Sequence, residues 1–350
     1  MNISSRVTLA IGLLGMLLSA AVGAADSGGE RIYVSDETGG NVVIVDPSDG
    51  KVVATIPVGR RPRGIAVSQD RTRVYVALSG SPQGGPNVDE SKLPPPDHRF
   101  DGIGVVDLNA QKLIKTYPSN ADPETFAISH DGKILYASNE DTGMLSAIDL
   151  VRGKILAAVT VGSEPEGVAV SQDDRFIYTA CETSNKVYVI NAQTMKVVGT
   201  IPTQPRPRSI WLSPHSPIGF VSDEFGASLT EFNTDNYQVI KTISLGDPKK
   251  VRPMGLAASA DGHLLYVTTG RAAALLEINT DTGAIVRTIS DVGQRPWGVA
   301  LSRDGSRAYT ANGPSGDISV VDLASGKIVK RIHVGGSPWG IVSESTASGG

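Results

Sequence analysis

An all-β, seven-bladed β-propeller of four-stranded antiparallel blades is the fold the sequence predicts, on three observations. A Pro-x-Gly turn or a near variant opens at Pro62, Pro123, Pro165, Pro207, Pro253, Pro296 and Pro338, with successive gaps of 61, 42, 42, 46, 43 and 42 residues. Each unit holds four short β-type runs, which from Pro165 are Gly167-Val168-Ala169-Val170, Ile177-Tyr178-Thr179-Ala180, Val187-Tyr188-Val189-Ile190 and Lys196-Val197-Val198-Gly199-Thr200-Ile201. Four strands in that period make one propeller blade per repeat. The third observation is a displaced run. The chain begins its repeats with the second, third and fourth runs, and the missing first run stands at the other end, as Pro338-Trp339-Gly340-Ile341-Val342. Pairing the two ends closes the ring and leaves no open strand edge there.

In chain order, Met1 to Ala24 reads as a secretory signal: Arg6, an apolar run from Val7 to Val22, then small residues suited to cleavage. The run is short for a membrane span, so none is expected after cleavage, and the protein is expected in the periplasm. The expected division is signal 1–24, linker 25–30, propeller 31–343 and a flexible tail 344–350. Ile32-Tyr33-Val34-Ser35, Val42 to Asp46 and Val52 to Ile56 are the three opening runs. First runs such as Gly64-Ile65-Ala66-Val67 and Gly298-Val299-Ala300-Leu301 are apolar throughout, as befits a strand covered on both faces at a crowded hub. Ser129-His130-Asp131-Gly132 and Ser302-Arg303-Asp304-Gly305 supply turn chemistry between first and second runs. Third runs end in Asp46, Asp107, Asp149, Asn191, Asn233, Asn279 and Asp322, which are read as turn formers. The blade opening at Pro62 carries a surplus between its second and third runs, about 79–101, a loop too long to be a mere connector.

Composition fits many tight turns between slim strands, with 39 glycines and 21 prolines in 350 residues. Beyond the signal, 31 basic residues face 36 acidic ones, a balance that disfavours nucleic acid. The single cysteine, Cys181, excludes an internal disulfide and a Cys-x-x-Cys-His haem attachment.

Tyr75-Val76-Ala77-Leu78, Tyr266-Val267-Thr268-Thr269 and Tyr309-Thr310-Ala311-Asn312 are variants of a Tyr-Val-Thr-Asn motif. With them, Ile32 to Val342 resembles the YVTN-repeat β-propellers, and most of all the exported propellers associated with PQQ-dependent alcohol catabolism. The resemblance implies a periplasmic accessory protein whose partner would be a quinoprotein dehydrogenase or a cytochrome. Quinoprotein dehydrogenases themselves have eight blades and a docking tryptophan after Thr-Gly-Lys. Here Asp49-Gly50-Lys51 and Thr282-Gly283-Ala284 echo the turn without the tryptophan, so no cofactor is expected.

The middle residue of each Pro-x-Gly turn is expected to ring the channel mouth on the top face. In blade order these are Arg63, Glu124, Glu166, Arg208, Met254, Trp297 and Trp339, a charged arc facing an apolar one. That sectoring predicts a funnel for a ligand or partner with an aromatic and a charged part. The competing reading is a plug, with the charges neutralising each other. Arg60, Arg61, Arg206, Lys249, Lys250, Arg252 and Arg295 crowd the same loops, either to grip a carboxylate or phosphate or as a solvated rim. Glu37, Glu140, Glu182 and Glu224 recur four residues after an aromatic and read as a negative or solvated rim, too dispersed for one metal. His98 and Arg99, in the long loop, are candidate lid residues, and no metal or catalytic set is assigned. Cys181, beside Glu182, reads as inert. Three functions stay in view: a monomeric binding or scaffold protein, a lactonase- or lyase-type enzyme, and a single-stranded nucleic-acid binder.

Overall fold

The computed structural model describes residues 29–84 and 88–345. The expected signal, most of the linker and most of the tail lie outside the described residues. Every described strand belongs to one of seven four-stranded antiparallel sheets. The only helical pieces among the described residues are two short 3-10 turns in the long loop, Glu90–Lys92 and His98–Phe100.

Blade 1 is the composite, in the order Pro338–Ser345, Glu30–Asp36, Asn41–Asp46, Lys51–Pro57. Blades 2 to 7 begin with the innermost strands Ile65–Val67, Pro123–Ile128, Pro165–Val170, Pro207–Leu212, Pro253–Ala258 and Pro296–Leu301. Closure rests on backbone and side chains together. Val34 lies opposite Ile341 and Tyr33 opposite Val342. Gly340 N donates to Ser35 Oγ at 2.8 Å, Ser337 N to Asp36 Oδ1 at 2.7 Å, and the Tyr309 hydroxyl of blade 7 to Glu30 Oε2 at 2.7 Å.

The core is not one mass but seven seams, one between each pair of neighbouring blades. Ile32, Val34, Val43 and Val45 of blade 1 pack on Tyr309, Ala311, Ile318 and Val320 of blade 7, so the last seam is as apolar as the others. Each such Val or Ile contributes about 1.5–3 kcal/mol when fully buried. Outer strands bear one packed face only, and Lys154–Thr160 alternates between exposed and half-buried residues. In every blade the pairing of third and fourth strands slips by one residue, as between Ala147 and Ile148, a bulge that strengthens the twist of the outer edge.

The repeated motif acquires a physical meaning here. Where its third residue is a hydroxyl, it donates to the backbone carbonyl of the next blade's ring residue. Ser138 Oγ reaches Glu166 O at 2.6 Å, Ser222 Oγ reaches Met254 O at 2.6 Å, Thr268 Oγ1 reaches Trp297 O at 2.7 Å, and Ser35 Oγ reaches Arg63 O. The glycine of Pro-x-Gly is required by the same closeness. A Cβ on Gly167 would stand 2.0 Å from Arg208 O, and one on Gly340 2.5 Å from Arg63 O. The acids ending third strands do form turns: Asp149 Oδ1 accepts from the backbone of Val151 and Arg152, each at 2.8 Å.

Candidate ligand-binding face

Five residues directly before the ring prolines hold left-handed backbone: Arg61 (φ 41°), Asp122 (53°), Glu164 (53°), Arg206 (63°) and Arg295 (47°). For a residue with a side chain this costs on the order of 1 kcal/mol each. The strained positions border the ring and bring charged side chains into it.

The charged arc is self-contained. Arg63, 1% exposed, pairs with Asp122 and Glu124 and lies 3.6 Å from Glu140. Arg208 pairs with Glu166 and Glu182, and its Nη2 stands 2.7 Å from Glu224 Oε2. Arg206 adds contacts to Glu182 at 2.8 Å and Glu224 at 3.0 Å. Burial pulls both guanidiniums down, but their carboxylates outweigh it and hold Arg63 and Arg208 above the ordinary value. Burial pushes Glu124, Glu166, Glu182 and Glu140 up, against the pull of the arginines. For Asp122 and Glu224 the arginines win over burial and hold the carboxyls low.

This corrects the reading of the glutamates as a dispersed, solvated or docking rim. Glu37, Glu182 and Glu224 are buried, Glu37 bonded to Arg61 Nε at 3.1 Å, and Glu182 and Glu224 share Arg208. The cause is electrostatic: Arg63 and Arg208 of the ring, with Arg61 and Arg206 directly before its prolines, draw these carboxylates inward.

The other arc is different. Met254 is buried, while Trp297 and Trp339 are half-buried and stack, ring centroids 5.7 Å apart at 24°. Where blades 3 to 5 carry a glutamate, blades 6 and 7 carry Gly270 and Gly313, and a Cβ on Gly313 would meet Trp297 Nε1 at 3.1 Å. Arg295 lies over Trp297 at 4.5 Å and Arg208 at 5.6 Å. Arg252 and Arg206 lie over Phe225 at 4.1 and 4.8 Å. The side chains of Arg252 and Arg295 have no carboxylate and no hydrogen-bond acceptor among the described residues. Burial lowers both; Glu224 partly offsets this, and neighbouring arginines lower them further. Sequence reading placed these arginines correctly in the ring loops but missed Phe225, an exposed aromatic just after Glu224.

Beneath the ring runs a channel of about 280 Å³, lined by first-strand residues such as Gly64, Thr125, Gly167 and Val299, and by Trp339. The long loop is tied down beside it. His98 Nδ1 is 2.8 Å from Asp101 Oδ2, and the shielded Asp101 carboxylate also accepts from Gly80 N and Asp122 N. That hydrogen bond raises the His98 pKa against slight burial. Arg99 forks onto Asp97 at 2.7 Å, and Arg61 Nη1 donates to Ser81 O at 3.0 Å. His98 and Arg99 thus latch the loop's own base. Burial pushes the Cys181 thiol up to about 12. Among the described residues no cluster of three or more His, Cys, Asp or Glu could hold a metal.

Comparison with known proteins places the chain among β-propellers. The family described as Cytochrome D1 heme domain matches residues 101–216, a third of the chain. The two histidines of the matched stretch, His130 and His215, stand in first-to-second-strand turns at the opposite face, so neither reaches the channel as a haem ligand. The "Uncharacterized protein YncE" of Salmonella typhi is 27% identical over 114 residues, 32% of this chain and 26% of that protein. The chain thus matches about a quarter of the length of that curated relative. Among solved structures, the periplasmic gluconolactonase PpgL of Pseudomonas aeruginosa superposes with TM-score 0.72 at 20% identity, covering 91% of this chain and 99% of that one. Kuenenia stuttgartiensis hydrazine synthase gives 0.68 at 18%, covering 82% and 90%. Such likeness is one of fold.

Proposed function

We propose that this propeller is an exported, non-catalytic binding protein that takes an anionic ligand, or an acidic edge of a partner protein, on the arc between Phe225 and Trp339. The observation carrying this reading is the pair of partly buried arginines, Arg252 and Arg295, that lie on aromatic faces without a carboxylate bonded to either. A guanidinium so held is preorganised for a carboxylate or phosphate. The stacked tryptophans offer a flat apolar wall beside it. In the context implied by the family resemblance, the partner is a periplasmic dehydrogenase or cytochrome of PQQ-dependent alcohol oxidation. Export rests on the leader-like segment Met1 to Ala24.

The test is retention of partners from a periplasmic extract of alcohol-grown cells by the immobilised protein. The Arg252→Ala/Arg295→Ala double variant should lose at least tenfold in affinity, since each charge-assisted contact contributes about 1.5–3 kcal/mol. Undiminished capture, with the fold intact, would refute the assignment.

A second reading, a lactone-opening enzyme, is favoured by one feature. Burial and Glu124 hold the Glu140 carboxyl protonated to about 10 beside Arg63, as a general acid would be. The PpgL fold is that of a gluconolactonase. Acid release from gluconolactone above the rate of a Glu140→Gln variant would support it; equal rates would dismiss it.

A further inference from the structure

A second cavity, larger than the channel beneath the ring, lies in the seam between blades 5 and 6 at the face of the first-to-second-strand turns, and holds about 610 Å³. Its origin is a break in the repeat. In blades 2, 3, 4, 6 and 7 the innermost residue opposite the second-strand tyrosine is Ala66, Ala127, Ala169, Ala257 or Ala300. In blade 5 it is Trp211, and the tyrosine is replaced by Phe220, with ring centroids 6.0 Å apart. Blade 4 shows what this costs the seam: the Tyr178 hydroxyl reaches across to Thr234 O at 3.2 Å. Phe220 has no hydroxyl to bridge to Thr280, the matching residue of blade 6, and Thr280 lines the opening.

Next along the same row stands Glu231, 4% exposed and lining the cavity. Neither of its oxygens accepts a hydrogen bond among the described residues, and its one partner is Lys241 Nζ at 3.1 Å. The equivalent Glu277 of blade 6 is gripped by Arg287, with Nε at 2.9 Å. A buried carboxylate held by one half-exposed lysine is left short of donors. Asp261 and Asp281 also line the cavity, Asp281 Oδ2 lying 3.1 Å from His263 Nδ1, so three carboxylates stand there against Lys241 and the imidazoles of His215 and His263.

We propose that this cleft binds a small organic cation with a flat apolar body, its ammonium on Glu231 and its ring along Trp211. The volume suits such a ligand, and an indole face favours a cation. The site is independent of the arginine-bearing arc and stands or falls separately from it.

The test isolates Trp211, one of three tryptophans, in a Trp297→Phe/Trp339→Phe background, so that intrinsic emission reports this cleft alone. Phenethylamine, 2-phenylethanol and phenylacetate are titrated in turn at neutral pH. The expected result is a saturable emission change with the amine, about tenfold tighter than with the alcohol, and none with phenylacetate. Glu231→Gln should weaken the amine about tenfold, toward the level of the alcohol. Phe220→Tyr, which restores the strut toward Thr280, should also weaken it while retaining or raising Tm, and it serves where Glu231→Gln does not fold. Absence of saturation with the amine, equal binding of amine and alcohol, preference for phenylacetate, or full affinity in Phe220→Tyr would each overturn the proposal.

Discussion

Asp223 shows how a single buried side chain sets pH behaviour. It ends the second strand of blade 5, fully buried, with Ser228 Oγ at 2.9 Å and Thr230 Oγ1 at 2.8 Å on one oxygen and no hydrogen-bonded partner on the other. Burial pushes its pKa up to about 7 against those hydroxyls. Because the folded value lies above the unfolded one, stability from this group is full below the usual carboxylate range and is lost as pH rises toward 7. Asp223→Asn should therefore raise Tm at alkaline pH, by the equivalent of a few kcal/mol at most, and change it little in acid. Arg208 gives the opposite case. Arg208→Met strands Glu166 in a dry site and leaves Glu182 and Glu224 to Arg206 alone, a loss of about 3–5 kcal/mol at neutral pH. Denaturant unfolding should show that loss shrinking in acid, as the carboxyls take up protons. Cys181, buried with its thiol pushed up to about 12, should resist Ellman's reagent until the chain unfolds.

At the scale of the element, closure is the decisive event. The strand Pro338–Ser345 supplies the inner edge of blade 1 and, through Ile341, part of its tie to blade 7. Ending the chain at Ser337 leaves Glu30–Asp36 with an open edge and uncovers Ile32 and Val34. The expected outcome is aggregation or a molten product in size-exclusion and near-ultraviolet dichroism, against a compact full-length protein. The blade strands and the displaced first run were legible in sequence because turn chemistry and apolar runs are local signals. The inter-blade hydroxyl bonds from Ser35, Ser138, Ser222 and Thr268 were not. Their acceptors lie 28 to 32 residues away, and nothing in the motif itself says which carbonyl it meets.

In the whole molecule, seven-fold repetition makes departures from the repeat conspicuous, and apart from the long loop of blade 2 two stand out. One is the top ring, where charges of blades 2 to 5 consume each other and arginines of blades 6 and 7 are left against aromatics. The other is the seam of blades 5 and 6, where Trp211 and Phe220 replace the usual alanine and tyrosine. The amino-acid order alone determined the blade count, the ring's membership and the join of tail to opening hairpin, because period, turns and apolar runs are written along the chain. Only the folded ring decided that Glu182 and Glu224 converge on Arg208, that Arg252 and Arg295 are left without a bonded carboxylate, and that a cleft opens beside Glu231. Those outcomes depend on distances between side chains of different blades, and electrostatic pairing and packing act through space, where position along the chain carries no weight.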